Sequence, residues 1–205
     1  MLRTVSRSVA VASLLLACLF AVQGFAAEAE QKAVAVRLPD VVFVPTPHDV
    51  VEKMLEMAGV KEADVVYDLG CGDGRIVVAA AKKVGCRAFG FDVDPKRIQE
   101  SLENVSKNKV ENLVKIEQKD IFTLDLSPAS VVTLYLLPEL NVKLIPQLQK
   151  LKPGSRIVSH DFRMRGVKPD KVEEFTSEED GSEHTIYLWT APLKERKKKQ
   201  VATAG

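Results

Sequence analysis

Hydrophobic positions change their spacing repeatedly along this chain, and the changes divide it into elements. In FVPTPHDVVEKMLEMAGV, Val50, Val51, Met54, Leu55 and Ala58 recur at helical intervals until Gly59 ends the run. Thr46 is placed to cap this amphipathic helix and Pro47 to occupy its first turn. DVVYDLG then reads as a buried strand and RIVVAAAKKVG as the helix behind it. RAFGFD is a second strand, followed by a helix that opens with Asp94 as cap and Pro95 at the first helical position. VKIEQKD and VVTLYLL are the third and fourth strands. LNVKLIPQLQKLKPG is helical, and Pro146 is expected to kink or divide it. RIVSHDF is the fifth strand, and KVEEFTSEE and EHTIYLWTA pair across Asp180-Gly181 as a C-terminal antiparallel hairpin.

Strands that alternate with helices predict an α/β fold: a Rossmann-like seven-strand sheet with helices on both faces, binding its ligand beyond the carboxyl ends of the strands. With 205 residues the chain has enough length for one full-sized core. The pattern changes at both ends. Arg3 and Arg7 precede the apolar run VAVASLLLACLFAV, and GFAAEAE follows with small residues and then charge. Residues 1–26 therefore read as a signal peptide or membrane anchor with cleavage after Ala26, although the run is short of the ~20 residues a span needs. Residues 27–40 form a polar, alanine-rich linker, 41–192 the folded domain, and 193–205 a basic, solvated tail containing KERKKK. The expected location is exported, periplasmic or membrane-anchored, with membrane association through the N-terminal segment.

A net charge of +1 gives no overall electrostatic case for nucleic acid as a partner. Beyond the leader the cysteines are Cys71 and Cys86, both read as small buried residues. There is no CxxC and no paired-histidine spacing among His48, His160 and His184, so the sequence predicts no zinc site. His160 and Asp161 adjoin on a strand, where neighbours point to opposite faces, so no dyad is expected of them.

The candidate chemistry lies in VVYDLGCGDGR. Glycines at alternate positions after a first strand let backbone and ligand approach closely, and the helix starting near Arg75 presents free N–H groups. The dinucleotide fingerprint is GxGxxG, whereas this loop is GxGxG with an acid two residues before it. Asp68 and Asp73 would repel a pyrophosphate but attract a ligand carrying an ammonium and a sulfonium.

On this motif the sequence resembles the class I, seven-strand S-adenosylmethionine (SAM) methyltransferases, from Val44 to Ala191. The resemblance implies that Asp68 partners the amino group of SAM and that Gly70, Cys71, Gly72 and Gly74 hold its methionine part. In FGFDVDP it implies that Asp92 takes the ribose hydroxyls, and in QKDIF that Asp120 accepts from the adenine amino group beside Ile121. VPTP, DIFTLDL, TLYLLPEL and SHDF are similar to a narrower group, the bacterial relatives of the mitochondrial lysine methyltransferases acting on the ATP synthase c-subunit and the adenine nucleotide translocase. Cys71 stands where the mitochondrial enzymes usually have Ser. That group implies an enzyme with a protein partner, transferring methyl to an amine, most readily a lysine, and the chain is expected to be a monomer. By position, Tyr135 walls the substrate slot as a catalytic candidate, with Pro138 and Glu139 on the following loop and Glu139 guiding the lysine. Phe43 or Phe162 packs against the sulfonium or the amine, and Thr46 reaches the methionine carboxylate. The alternatives are a small-molecule or lipid methyltransferase, and a SAM-binding protein without catalysis. A chain with no spare length for a lid over a small substrate weighs against the first, and the intact set of acids against the second.

Overall fold

A computed structural model describes residues 43–194. The leader, the linker and the tail beyond Lys194 lie outside the described residues. Seven strands form one sheet: β1 (Val65–Leu69), β2 (Arg87–Asp92), β3 (Val114–Gln118), β4 (Val131–Leu134), β5 (Arg156–His160), β6 (Lys171–Thr176) and β7 (Glu183–Thr190). Their order is β3-β2-β1-β4-β5-β7-β6. The first five pair in parallel, and β7 lies antiparallel between β5 and β6. The expected hairpin is present, and its second strand, not its first, joins the rest of the sheet.

Helices α1 (His48–Met57), α2 (Arg75–Val84) and α3 (Pro95–Asn108) contribute to one apolar core, with Val66, Val131 and Val158 of the sheet. Helix α4 (Pro138–Leu148) contributes to a second, with Tyr67, Leu69, Val132 and Trp189. Period-two alternation along β1 sends Val66 to one core and Tyr67 and Leu69 to the other. The strand order reverses between β1 and β4, so the crevice at their carboxyl ends is the ligand position of such a sheet. Among the described residues no helix is long and apolar enough to cross a membrane.

Two local expectations are corrected. Thr46 does not cap α1, because Pro47 holds the cap position and the Thr46 hydroxyl turns inward to His160 Nδ1 at 3.1 Å. The first turn is satisfied by Glu179 and by Asp49, whose Oδ1 accepts from the Val50 N–H. Glu179 accepts from the His48 N–H, and Asp49 accepts from the Ser177 hydroxyl and the Glu178 N–H on the β6–β7 turn. Pro146 does not divide α4, which runs on to Leu148. A proline this near the end leaves one i−4 carbonyl without its donor, but only Gln147 and Leu148 follow it in the helix.

Candidate active site

The glycine loop joins β1 to α2. Gly70, Gly72 and Gly74 all take positive φ, at 81°, 56° and 76°, which a residue with a Cβ adopts only at a cost. Space is also short around them, and the crowding comes from the chain itself. A Cβ on Gly72 would lie 2.0 Å from the Phe43 ring, on Gly70 3.0 Å from Leu136, and on Gly74 3.0 Å from the Ser101 hydroxyl. The alternate spacing therefore answers first to backbone conformation and to these contacts, and a ligand adds to the demand.

Around the loop lies a cavity of about 260 Å3. Among the residues singled out from the sequence, Thr46, Asp68, Gly70, Cys71, Asp92, Ile121 and Tyr135 line it, as do Phe43 and Phe162. Gly72 and Gly74 shape the loop from behind. Asp120 is not a wall residue. It precedes Ile121 and caps the short 3-10 turn Ile121–Thr123 by accepting from the Phe122 N–H. Glu139 also lies off the wall, exposed in the first turn of α4 and paired with Arg165 at 3.1 Å.

Asp68 is the unusual group. It is 2% exposed, and Thr133 donates to its Oδ1 at 2.7 Å, but its buried Oδ2 has no hydrogen-bond partner. Burial, with the charges of Asp92 and Asp73 in support, pushes its carboxyl up to about 7. A buried carboxylate oxygen without a donor is costly, and a cationic N–H group in the cavity would satisfy it. Asp92 is built differently. Its Oδ2 accepts from the Gly72 N–H and its Oδ1 from the Asp94 N–H, each at 3.0 Å, so the carboxylate is held rigidly with lone pairs left for hydroxyl donors. These features fit an amino acid–ribose ligand such as SAM: a cation at Asp68, a diol at Asp92 and an apolar ring face at Ile121.

The opposite wall is aromatic and apolar. Tyr135 stacks on Phe162, with centroids 5.8 Å apart and planes 17° apart, and Leu136, Leu137 and Leu140 continue the surface. The Tyr135 ring also lies 4.0 Å from the His160 ring. His160 is fully buried, and burial pushes its imidazole down to about 4 against the pull of Asp161 and Asp180.

Here the premise that His160 and Asp161 point to opposite faces is overturned. Asp161 takes a left-handed φ of 56°, so the strand ends and its carboxylate swings back to within 3.3 Å of His160 Nε2. Arg75 was not singled out as a site residue. It lines the cavity, donates to the Thr46 carbonyl at 2.7 Å and is held in an ion pair by Asp73. Its signal was its place as the residue that closes the glycine motif. His184 was missed because no local pattern connects β7 to the end of β5.

Comparison with known proteins places this geometry. The family model described as the ANTKMT methyltransferase domain matches residues 68–171. A protein-lysine N-methyltransferase of Saccharolobus islandicus is 47% identical over 155 residues, covering 74% of this chain and 94% of that protein. The human lysine N-methyltransferase of the ATP synthase c-subunit is 30% identical over 131 residues, and the match covers 63% of this chain and 55% of that protein. Among solved structures, an RNA methyltransferase from Salinibacter ruber in complex with S-adenosyl-L-homocysteine superposes with a TM-score of 0.70. It is 45% identical, and the match covers 76% of this chain and 98% of that one.

Proposed function

Because this chain belongs to the ANTKMT methyltransferase family, and is thus a SAM-dependent methyltransferase, we propose that the nucleophile it methylates is the side-chain amine of a protein lysine. One observation carries the reading. The cavity joins the unpaired buried oxygen of Asp68 to an apolar slot walled by Tyr135, Phe162 and Leu140. The activities named for the archaeal and human relatives support lysine as the acceptor.

SAM supplies, when bound, a methyl group on a sulfonium that departs as a neutral thioether. In this reading Asp68 would accept from the amino group of the ligand and Asp92 from its ribose hydroxyls, with Ile121 against the adenine ring and Asp120 fixing the turn that carries it. Gly70 and Cys71 would hold the methionine part, with Gly72 and Gly74 holding the turn. The Arg75 guanidinium would face its carboxylate, and Thr46, whose hydroxyl is engaged by His160 Nδ1, lines the cavity beside it. On the acceptor side the apolar slot of Tyr135 and Phe162 favours the neutral amine, so an entering ammonium gives its proton to solvent at the cavity mouth before it attacks. Alignment and exclusion of water then do most of the catalysis, since the leaving group needs no acid. Glu139, exposed beside the slot, attracts the charged lysine before it is desolvated.

A second reading has its own support, since the Salinibacter structure bears the name of an RNA methyltransferase. Against it, the net charge of +1 gives little attraction for a polyanion, and Val44 and Leu137 at the cavity are exposed apolar groups. Incubating the full-length protein with methyl-labelled SAM, host lysate and membranes separates the readings. Label on lysine after protein hydrolysis is the expected result. Label in RNA, lipid or small molecules would replace lysine with that class, and SAM bound without transfer to any fraction would leave only a binding protein.

We infer a location outside the cytoplasm or on a membrane from the signal-peptide-like pattern of residues 1–26. A C-terminal tag that protease removes from wall-stripped cells would agree with this. A tag protected until the cells are lysed would overturn it.

A further inference from the structure

Three side chains outside the cofactor cavity make a compact triangle. His160 Nε2 lies 2.9 Å from His184 Nδ1, and Asp161 Oδ2 lies 3.3 Å from each of them. Around a tetrahedral cation with bonds near 2.0–2.1 Å, neighbouring donors stand about 3.3 Å apart. The triangle is slightly tighter than that on one edge and equal to it on the other two.

The outer contacts of all three groups are also those of metal ligands. His160 turns its other ring nitrogen, Nδ1, to the Thr46 hydroxyl at 3.1 Å. His184 turns its Nε2 to the Asp180 carboxylate at 3.3 Å. Asp161 anchors Oδ1 on the Thr185 N–H at 2.9 Å, leaving Oδ2 for the two imidazoles. Such partners fix the tautomer and orientation of ligating histidines and carboxylates.

Three nitrogen and oxygen atoms able to ligate thus stand within 3.3 Å of one another. The left-handed backbone at Asp161 is what brings the third atom in.

We propose that His160, Asp161 and His184 bind a divalent first-row transition metal, with zinc best suited to the nitrogen–oxygen set and solvent completing the coordination beside the half-exposed Asp161. The ion ties the end of β5 to the start of β7 and fixes the His160 ring against Tyr135. It stands apart from the methyl acceptor's identity, so it holds or fails independently of the lysine reading.

The test uses the full-length protein, stripped with a chelator and titrated with zinc against a colorimetric competitor, with cobalt(II) in parallel. Expected are about one equivalent of zinc per chain, a visible cobalt band of tetrahedral intensity, and zinc-induced shifts in the imidazole resonances of two of the three histidines. Asp161→Asn and His184→Ala should each weaken zinc by about tenfold or more, with SAM affinity showing that the variants are folded. His48→Ala, which removes the exposed histidine beside Glu179, should leave zinc binding unchanged. Failure of the wild type to bind an equivalent overturns the proposal, since the triangle is then a hydrogen-bonded cluster only. So do stoichiometric binding that survives both triangle variants, and loss of binding in His48→Ala.

Discussion

Asp68 sits in β1, where burial on all sides calls for an apolar residue, and only one of its oxygens is satisfied within the protein. Two pH effects follow from its raised carboxyl. In the ligand-free protein the folded state keeps a proton that the unfolded state releases. Stability should therefore fall as pH rises from the ordinary value of 3.8 toward about 7. SAM behaves oppositely, because its ammonium pairs with the ionised form, so its affinity should climb with pH toward about 7 and fall again once the ligand's own ammonium loses its proton, at ~8 for an ordinary α-amine. Calorimetry across that range checks the slope, and Asp68→Asn should both weaken binding and flatten the dependence. Gly72 tests the loop. Gly72→Ala places a methyl 2.0 Å from Phe43 at a φ of 56°. The expected loss is about 1–3 kcal/mol in denaturant unfolding, together with weaker SAM binding as Phe43 shifts.

Among the elements, α4 has the most distinct role. Leu144 and Leu148 are fully buried against the second core, and the other three helices pack on the opposite face of the sheet. Pro138 starts it at the first helical position, which places Leu137 and Leu140 on the cavity wall. Leu144→Ala should cost about 2–5 kcal/mol, read as a lower urea midpoint with an unchanged slope. The helix starts were legible wherever a cap or proline announced them, as at Asp94-Pro95, where Asp94 accepts from the Lys96 N–H. Thr46 misled because its hydroxyl had two competing uses, and the buried imidazole of His160 claimed it over the local N–H groups.

On the scale of the whole molecule, distant parts of the chain close on one another through polar contacts. Asp49 at the start of α1 holds Ser177 and Glu178 on the β6–β7 turn, so the first helix and the last hairpin lock together. Although desolvation opposes it, these hydrogen bonds hold the Asp49 carboxyl below the ordinary 3.8. The stability they add is present above that value and lost as pH falls through the lowered one. Asp49→Ala should therefore lower Tm by a few degrees near neutral pH, with the gap closing in acid, as thermal unfolding at a series of pH values would report.

The order of strands and helices, the site at the end of β1 and the acids at three successive strand ends were legible because each rests on local patterning. Period-two and helical spacings, proline and glycine stops, and the GxGxG spacing all operate within a few residues. Membership of the methyltransferase family was readable for the same reason. The position of β7 between β5 and β6, the inward turn of Thr46, and the meeting of His160, Asp161 and His184 were decided only in three dimensions. There the partners on different elements are 23 to 114 residues apart, and a left-handed residue at Asp161 reverses the direction that strand alternation assigns to its side chain. Sequence pattern reports what one element buries. Which polar groups face each other across elements depends on how the sheet is assembled, and no local spacing encodes that.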